Sequence, residues 1–160
     1  MLIFAVRLIL EEKGNLLFLR QTKRNGGRYT LIGGNVEEQE FAREALVREA
    51  KEEADIHVLP EHLSLVHVLH RHKLAKNETL LVLYFKASAF NGEPESKETH
   101  KFKDVAWLPD NSLPEEVSKP TRHVLDCIRR GEIYSEFPAR KKVLAFWEEL
   151  GQKWIGLGDF

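Results

Sequence analysis

One acidic stretch, residues 34–56, constrains the fold and chemistry of this chain more than any other feature. It holds seven glutamates and one aspartate against three basic residues, although the whole 160-residue chain has a net charge of only −1. Residues 40–54 contain no glycine or proline and many good helix formers, which predicts a helix of about four turns. At about 100° per residue, Glu49, Glu52 and Glu53 then share an arc of about 100°. Such a face is either a solvated charged surface or a set of oxygen ligands for a hard cation.

A basic segment precedes the acidic stretch. Arg20, Lys23, Arg24 and Arg28 carry four positive charges with no acidic residue among them. Basic side chains bind phosphate oxygens, and carboxylates bind the divalent cations that accompany phosphates. The two segments together favour a metal-dependent enzyme of phosphate compounds, with Arg20 and Arg28 as candidate substrate-binding residues.

The spacing inside residues 34–56 is more specific than its charge. Gly34 is followed after five residues by Glu40, after seven more by Arg48-Glu49-Ala50, and then by Glu52-Glu53 and Asp55-Ile56. This pattern resembles the Nudix box, G-x5-E-x7-R-E-U-x-E-E-x-G-U, in which U is aliphatic. The departure is Asp55, which stands where the box has glycine. Residues 29–34 also resemble the aromatic-x-Leu-Pro-Gly-Gly segment of these proteins, with Ile32 in the proline position, and residues 107–109 resemble the family's later strand.

The resemblance implies a Mg²⁺-dependent pyrophosphohydrolase, with Mn²⁺ as the other candidate ion. Its substrate would be a nucleoside diphosphate linked to another moiety, for example a nucleoside triphosphate. By position, Glu49, Glu52 and Glu53 would bind the metal, and one of them or a downstream acid would activate water. Arg48 would orient a catalytic carboxylate. Gly33 and Gly34 would let the backbone turn tightly beside the metal site.

A fourth acid is expected from a later loop. Residues 91–101 carry Glu93, Glu95 and Glu98. Residues 98–101 resemble a Glu-Pro-His-Lys stretch of some Nudix proteins. We therefore expect Glu98 to complete the metal or base set, while a solvated acidic loop remains the alternative.

The fold class expected from the pattern of elements is α+β, and the resemblance refines it to a Nudix-type α/β/α sandwich with a mixed β-sheet. Residues 2–10 and 16–20 predict one hairpin, and residues 63–72 and 79–90 predict another. A second helix should end at Arg130, before Gly131. A third helix is expected at about residues 139–155, within a single domain spanning residues 1–160.

Composition narrows the function further. The balanced charge argues against a nucleic-acid coat and a membrane-surface protein. The single cysteine suits a reducing compartment, so we expect a cytoplasmic protein. Its oligomeric state is expected to be a monomer or a homodimer. Two rivals stay open: a non-catalytic Nudix-fold binding or regulatory domain, and an isomerase acting on isopentenyl diphosphate. The first would be expected to lose box acids, and the second needs a cysteine upstream of the box, whereas the cysteine here is Cys127.

Asp55 is expected to reduce stability. The residue after a helix often adopts the left-handed conformation, which glycine reaches more readily than aspartate. A carboxylate there also faces the negative end of the helix dipole. Replacement by glycine should therefore stabilise the protein unless Asp55 has a basic partner.

Overall fold

Two β-sheets and two helices make up the part of the chain that the computed structural model describes, residues 1–73 and 76–138. The third helix expected at about residues 139–155 lies outside the described residues. The strands are β1 (Leu2–Ile9), β2 (Glu11–Glu12), β3 (Asn15–Gln21), β4 (Tyr29–Thr30), β5 (Leu63–Lys73), β6 (Glu78–Ala87), β7 (Phe102–Pro109) and β8 (Tyr134–Phe137). The helices are α1 (Ala42–Ala54) and α2 (Lys119–Arg129), with short 3₁₀ turns at Lys23–Asn25 and Pro60–His62.

The first sheet is mixed, as expected. Its order is β1-β6-β5-β8, in which β1 is parallel to β6, β6 is antiparallel to β5, and β5 is parallel to β8. The second sheet has β3 at its centre, paired with β2, β4 and β7. The predicted hairpin of β5 and β6 is present, with a β-bulge between Leu65 and His67.

The hairpin predicted from residues 2–10 and 16–20 is wrong, because β1 does not pair with β3. Strand β1 pairs with β6 from Leu2↔Thr79 to Ile9↔Lys86, and β3 is paired instead by the two-residue strand β2. The chain changes sheets at Leu10, whose carbonyl accepts a hydrogen bond from the N–H of Leu17. Strand β1 can leave its sequence neighbour because both of its faces are buried, and burial on both faces suits pairing inside the sandwich.

Two hydrophobic clusters lie on opposite sides of β1. Val6 and Leu8 belong to a cluster with Leu46 and Ala50 of α1. Ala5 and Ile9, which point the other way, belong to a cluster with Val124 and other residues of α2. The sheets therefore lie between the two helices, which confirms the α+β sandwich.

Helix α1 begins two residues later than predicted. The N–H of Phe41 donates to Glu44 Oε2 at 2.8 Å, which satisfies one backbone group at the helix start. Gln39 has φ of +64°, which is incompatible with a continuous right-handed helix through Glu40. Glu40 consequently lies outside α1, where its carboxylate can fold back onto the helix.

Candidate active site

Glu53 is the buried acid of the site. It lies on the inner face of α1 and is 5% exposed. The N–H of Gly33 donates to Glu53 Oε2 at 2.8 Å, although the two residues are 20 positions apart. Gly33 has φ of +137°, and a Cβ on it would overlap the carbonyl oxygen of Val6. The glycine thus lets the loop pack against β1 with its N–H pointing at the carboxylate.

Negatively charged side chains outnumber positively charged ones around Glu53. Burial raises the pKa of Glu53 to about 7, and the carboxylates of Glu49 and Glu98 push it the same way. The hydrogen bond from Gly33 and the charge of Arg7 act in the opposite direction but do not offset burial. Three carboxylates so placed would gain from a cation, and their oxygen donors suit a hard divalent ion.

Arg48 organises the other acids of α1. Its Nε donates to Glu40 Oε1 at 2.9 Å and its Nη2 to Glu40 Oε2 at 3.1 Å, a bidentate pair. Its Nη1 donates to Glu49 at 3.0 Å and to Glu52 at 3.2 Å. Glu40 first, and then Glu49, raise the pKa of Arg48. Arg48 therefore contacts both Glu49 and Glu52, while its role of orienting a catalytic carboxylate stays a prediction.

Glu98 lies close to this cluster and has a basic partner of its own. The Nζ of Lys101 contacts Glu98 Oε1 at 2.8 Å and Oε2 at 3.0 Å. Glu98 is the main cause of the raised pKa of Lys101, and Glu53 and Glu49 add to it. By contrast, Glu95 pairs with Lys97. The N–H of Lys97, next to Glu98, donates to the carbonyl oxygen of Glu53 at 3.1 Å, so the loop that carries Glu98 is attached to the last turn of α1.

The same acids are held by protein groups rather than arranged around one point. Among the described residues, no three His, Cys, Asp or Glu side chains are grouped closely enough to hold a metal ion as they stand. Arg48 holds Glu49 and Glu52, Gly33 holds Glu53, and Lys101 holds Glu98. Because Mg²⁺ keeps several water ligands, two or three carboxylates released from these partners suffice. The donor set fits a hard divalent cation, while the ligand roles of Glu49, Glu52, Glu53 and Glu98 stay predictions.

The two arginines predicted to bind substrate lie elsewhere. Arg20 stacks on the ring of Tyr29, 4.3 Å from its centroid, and pairs with Glu116 at 3.4 Å. Arg28 lines a cleft of about 1080 Å³, called here the α2 cleft, whose described lining contains no residue of α1. The α2 cleft is lined by Gly26, Arg28, Arg71, Leu113, residues 115–120, Arg122 and Phe137.

Three contributors to the site were missed from the sequence. Glu40 is the bidentate partner of Arg48, and its fixed position in the box could have indicated this. Lys101 follows Glu98 by three residues within the stretch that drew attention to Glu98. Arg7, which acts electrostatically on Glu53, gave no signal beyond being a charge inside an apolar strand.

Comparison with known proteins identifies the family. The model of the NUDIX domain matches residues 2–127. The chain belongs to the Nudix family. As a Nudix hydrolase it acts on phosphoric anhydrides; the family takes nucleotide-like diphosphates as substrates and generally uses divalent metal cations. Among proteins with curated descriptions, none matches its sequence.

Solved structures of Nudix and MutT proteins share the fold of this Nudix hydrolase. A MutT Nudix hydrolase from Burkholderia pseudomallei is 24% identical with a TM-score of 0.72, and the match covers 79% of this chain and 97% of that one. A MutT protein from Methanosarcina mazei Go1 is 20% identical with a TM-score of 0.69, covering 81% and 94%. The ORF135 protein of E. coli is 22% identical with a TM-score of 0.67, covering 81% and 89%. At sequence identities of 24% or less, the similarity to these structures shows a shared fold and nothing further.

The described helices of this Nudix hydrolase, in residues 1–73 and 76–138, include none long and apolar enough to cross a membrane.

Asp55 has the backbone conformation expected at the end of α1, but its carboxylate has basic partners. It ends α1 in the left-handed conformation, with φ of +54°. However, its carboxylate contacts Nζ of Lys51 and lies 3.2 Å from Nζ of Lys97. Lys51 first and then Lys97 lower the pKa of Asp55, so its surroundings favour the charged form despite the helix end. Asp55 is therefore not an unpaired charge, and the gain expected from glycine is offset by the loss of two ion pairs.

A substitution that keeps the backbone preference isolates these ion pairs. Asparagine also accepts the left-handed conformation, so Asp55→Asn removes mainly the charge. We expect its urea midpoint to fall below that of the wild type at equal m-value, and the difference to shrink in high salt, which screens exposed pairs. Asp55→Gly should lie above Asp55→Asn because glycine relieves backbone strain. A midpoint for Asp55→Asn above the wild type would show that the lysines contribute nothing.

Proposed function

We propose that this Nudix hydrolase is a Mg²⁺-dependent pyrophosphohydrolase that cleaves a nucleoside diphosphate linked to another moiety, such as a nucleoside triphosphate. The observation that supports it most is the buried carboxylate of Glu53, held by Gly33 and surrounded by the charges of Glu49 and Glu98. Because negative charges outnumber positive ones here, the site suits a divalent cation, and that cation in turn binds an anionic substrate. The N–H of Gly33 keeps the carboxylate of Glu53 in place.

The residues proposed to hold Mg²⁺, or Mn²⁺ in its place, are Glu49, Glu52, Glu53 and Glu98. When bound, the ion neutralises charge on the diphosphate and lowers the pKa of a coordinated water. The chain contributes fixed geometry, because Arg48 restrains Glu49 and Glu52 while Gly33 restrains Glu53. Restraint of this kind limits the reorganisation needed when substrate arrives.

Acidic and basic side chains of the site are proposed to transfer protons and to compensate the charge of the phosphates. Glu53, with its raised pKa, and Glu98, on a loop, are the candidate bases for the attacking water. Lys101 lies beside Glu98 and supplies a positive charge next to the carboxylates. Arg20 and Arg28 remain proposed substrate-binding residues.

Hydrolysis of a panel of nucleoside diphosphate derivatives, measured as formation of the nucleoside monophosphate, tests this proposal. The panel should be assayed with Mg²⁺, with Mn²⁺ and with a chelator, and mass spectrometry of the products should show cleavage between two phosphates. We expect turnover of at least one compound, lost on chelation and restored by added Mg²⁺. If the protein binds nucleotides but hydrolyses none of them, the non-catalytic alternative holds. Cytoplasmic location, no binding of polymeric nucleic acid, and a monomeric or homodimeric state also stay predictions.

Replacement of Glu98 tests which acid of the 91–101 loop belongs to the site. Glu98→Ala should lower kcat or raise the Mg²⁺ concentration needed for half-maximal activity, by about tenfold or more, because it removes an anionic oxygen ligand or the base. Glu93→Ala and Glu95→Ala are the matched controls from the same loop and should stay within about twofold. A larger loss in either control would show that Glu98 is the wrong acid.

A further inference from the structure

The α2 cleft is large enough for more than a diphosphate. Its volume of about 1080 Å³ is at the upper end of ordinary small-molecule sites, which run to roughly 1,000 Å³. It lies between residues 26–28, strand β5 and the start of α2, and α1 contributes nothing to its described lining. None of the proposed metal ligands lines this cleft, so binding of a metal ion does not account for it.

Arg71 lines this cleft, and its guanidinium carries a buried donor that is unpaired among the described residues. Its Nε is buried and has no hydrogen-bond partner in the described part of the chain. Burial lowers the pKa of Arg71, and the neighbouring charge of Arg7 lowers it further. An unpartnered buried donor on a cation is unfavourable, and an anion in the cleft would compensate the charge of this guanidinium.

The cleft as a whole carries excess positive charge. Four basic residues line it, Arg28, Arg71, Lys119 and Arg122, against Glu115 and Glu116. Glu116 is already paired with Arg20. Within residues 1–73 and 76–138, no ion pair involves Arg28, Arg71 or Lys119. Arg122 donates to the carbonyl oxygens of Val117 and Leu113, which fix it without neutralising its charge.

One molecule can reach both this cleft and the carboxylates of α1. Arg28 lines the cleft, and Gly33, only five residues later, donates its N–H to Glu53. Because an extended chain spans at most about 3.3–3.6 Å per residue, the backbones of Arg28 and Gly33 lie within about 18 Å of each other. A nucleoside diphosphate derivative is long enough to reach from one to the other.

We infer that the α2 cleft binds a second anionic group of the substrate, a phosphate monoester or a carboxylate carried by its organic part, through Arg71, Arg28 and Lys119. The inference rests on the proposed function and adds the class of substrate. A neutral heterocycle would leave the charge of the three cations without ion pairs uncompensated. An anion compensates that charge and accepts hydrogen bonds from guanidinium and ammonium groups.

Phosphate binding without metal tests the cleft independently of hydrolysis. Inorganic phosphate is titrated into metal-free protein, and backbone amide NMR signals of residues 26–28 and 118–121 are followed. We expect saturable shifts at both segments. Arg71→Met, which keeps the length of the side chain but not the charge, should weaken binding about tenfold or more. Lys13→Gln, at an exposed cation of the β2–β3 turn, is the control and should bind like the wild type.

A melting curve separates binding from a structural role. In phosphate-free buffer, Arg71→Met should melt at the same temperature as the wild type or higher, because the unpaired buried donor is gone. A lower melting temperature together with unchanged phosphate binding would overturn the inference. Should Arg71→Met fail to fold, Arg28→Gln on the exposed loop replaces it and must weaken phosphate binding. The inference also fails if phosphate shifts no amide of the cleft.

Matched substrates identify which anion is used. One pair consists of nucleoside diphosphate derivatives with and without a phosphate monoester on the ribose, and the other of nucleoside diphosphate sugars with and without a carboxylate. In the wild type, kcat/KM should favour the charged member of one pair about tenfold or more, and the ratio should fall toward one in Arg71→Met. Equal rates within both pairs would overturn the inference. If no compound is hydrolysed, the proposed function fails and the phosphate titration still decides the cleft.

Discussion

Glu53→Gln should lower kcat by about 100-fold or more while leaving the fold intact. The amide is nearly the same size as the carboxylate and can still accept the N–H of Gly33, but it removes a negative oxygen proposed to bind the cation. Stability should hold or rise, since a neutral amide is less costly to bury than a carboxylate that is 5% exposed beside two other acids. Activity and stability should therefore change independently.

A glutamate on the same helix provides the matched control. Glu44 is exposed and accepts the N–H of Phe41 at the start of α1, a role that glutamine also fills. Glu44→Gln should keep kcat within about twofold. Steady-state kinetics over a range of Mg²⁺ concentrations and a urea melt of each variant complete the comparison. A fully active Glu53→Gln enzyme with an unchanged Mg²⁺ requirement would remove Glu53 from the catalytic set.

Local patterns explain why α1 could be predicted and the pairing of β1 could not. The acids of α1 lie within one helix, and helical geometry alone places Glu49, Glu52 and Glu53 on one face. The partner of β1 is more than 70 residues away, at Thr79 to Lys86. A short turn after Leu10 made β3 the expected partner, because hairpins are favoured by proximity in the chain. Burial on both faces of β1, a property of the assembled sandwich, decides the actual pairing.

The candidate active site likewise combines contacts that are local in sequence with contacts that depend on the assembled fold. The resemblance implied that Arg48 would orient a catalytic carboxylate, and the acids that it contacts on α1, Glu49 and Glu52, are close to it in sequence. The hydrogen bond from Gly33 to Glu53 joins the loop before α1 to its last turn, and periodicity contains no information about it. The positions of Arg7 and Arg71 depend on how β1, β6 and β5 are ordered, so the charge of the α2 cleft could not be anticipated from the motif.

Two neighbouring glycines should respond differently to the same substitution, starting with Gly33. A Cβ at Gly33 would overlap the backbone of Val6, which cannot rotate away, and φ of +137° is strained for alanine. We expect Gly33→Ala to lower the free energy of unfolding by about 2–6 kcal/mol, since backbone strain and overpacking each contribute about 1–3 kcal/mol. For a chain of this size, that is a fall in melting temperature of about 4–24 °C.

At Gly34, a Cβ would meet the carboxylate of Glu49, the end of a flexible side chain that can move. Gly34→Ala should therefore change the free energy of unfolding by less than about 1 kcal/mol but lower kcat about tenfold or more, because Glu49 leaves the position that Arg48 gives it. Thermal melts and Mn²⁺ titration calorimetry of both variants separate the two effects. Equal loss of stability in the two variants would contradict the backbone argument for Gly33. Full activity and unchanged Mn²⁺ affinity in Gly34→Ala would show that the position of Glu49 does not matter to the metal site.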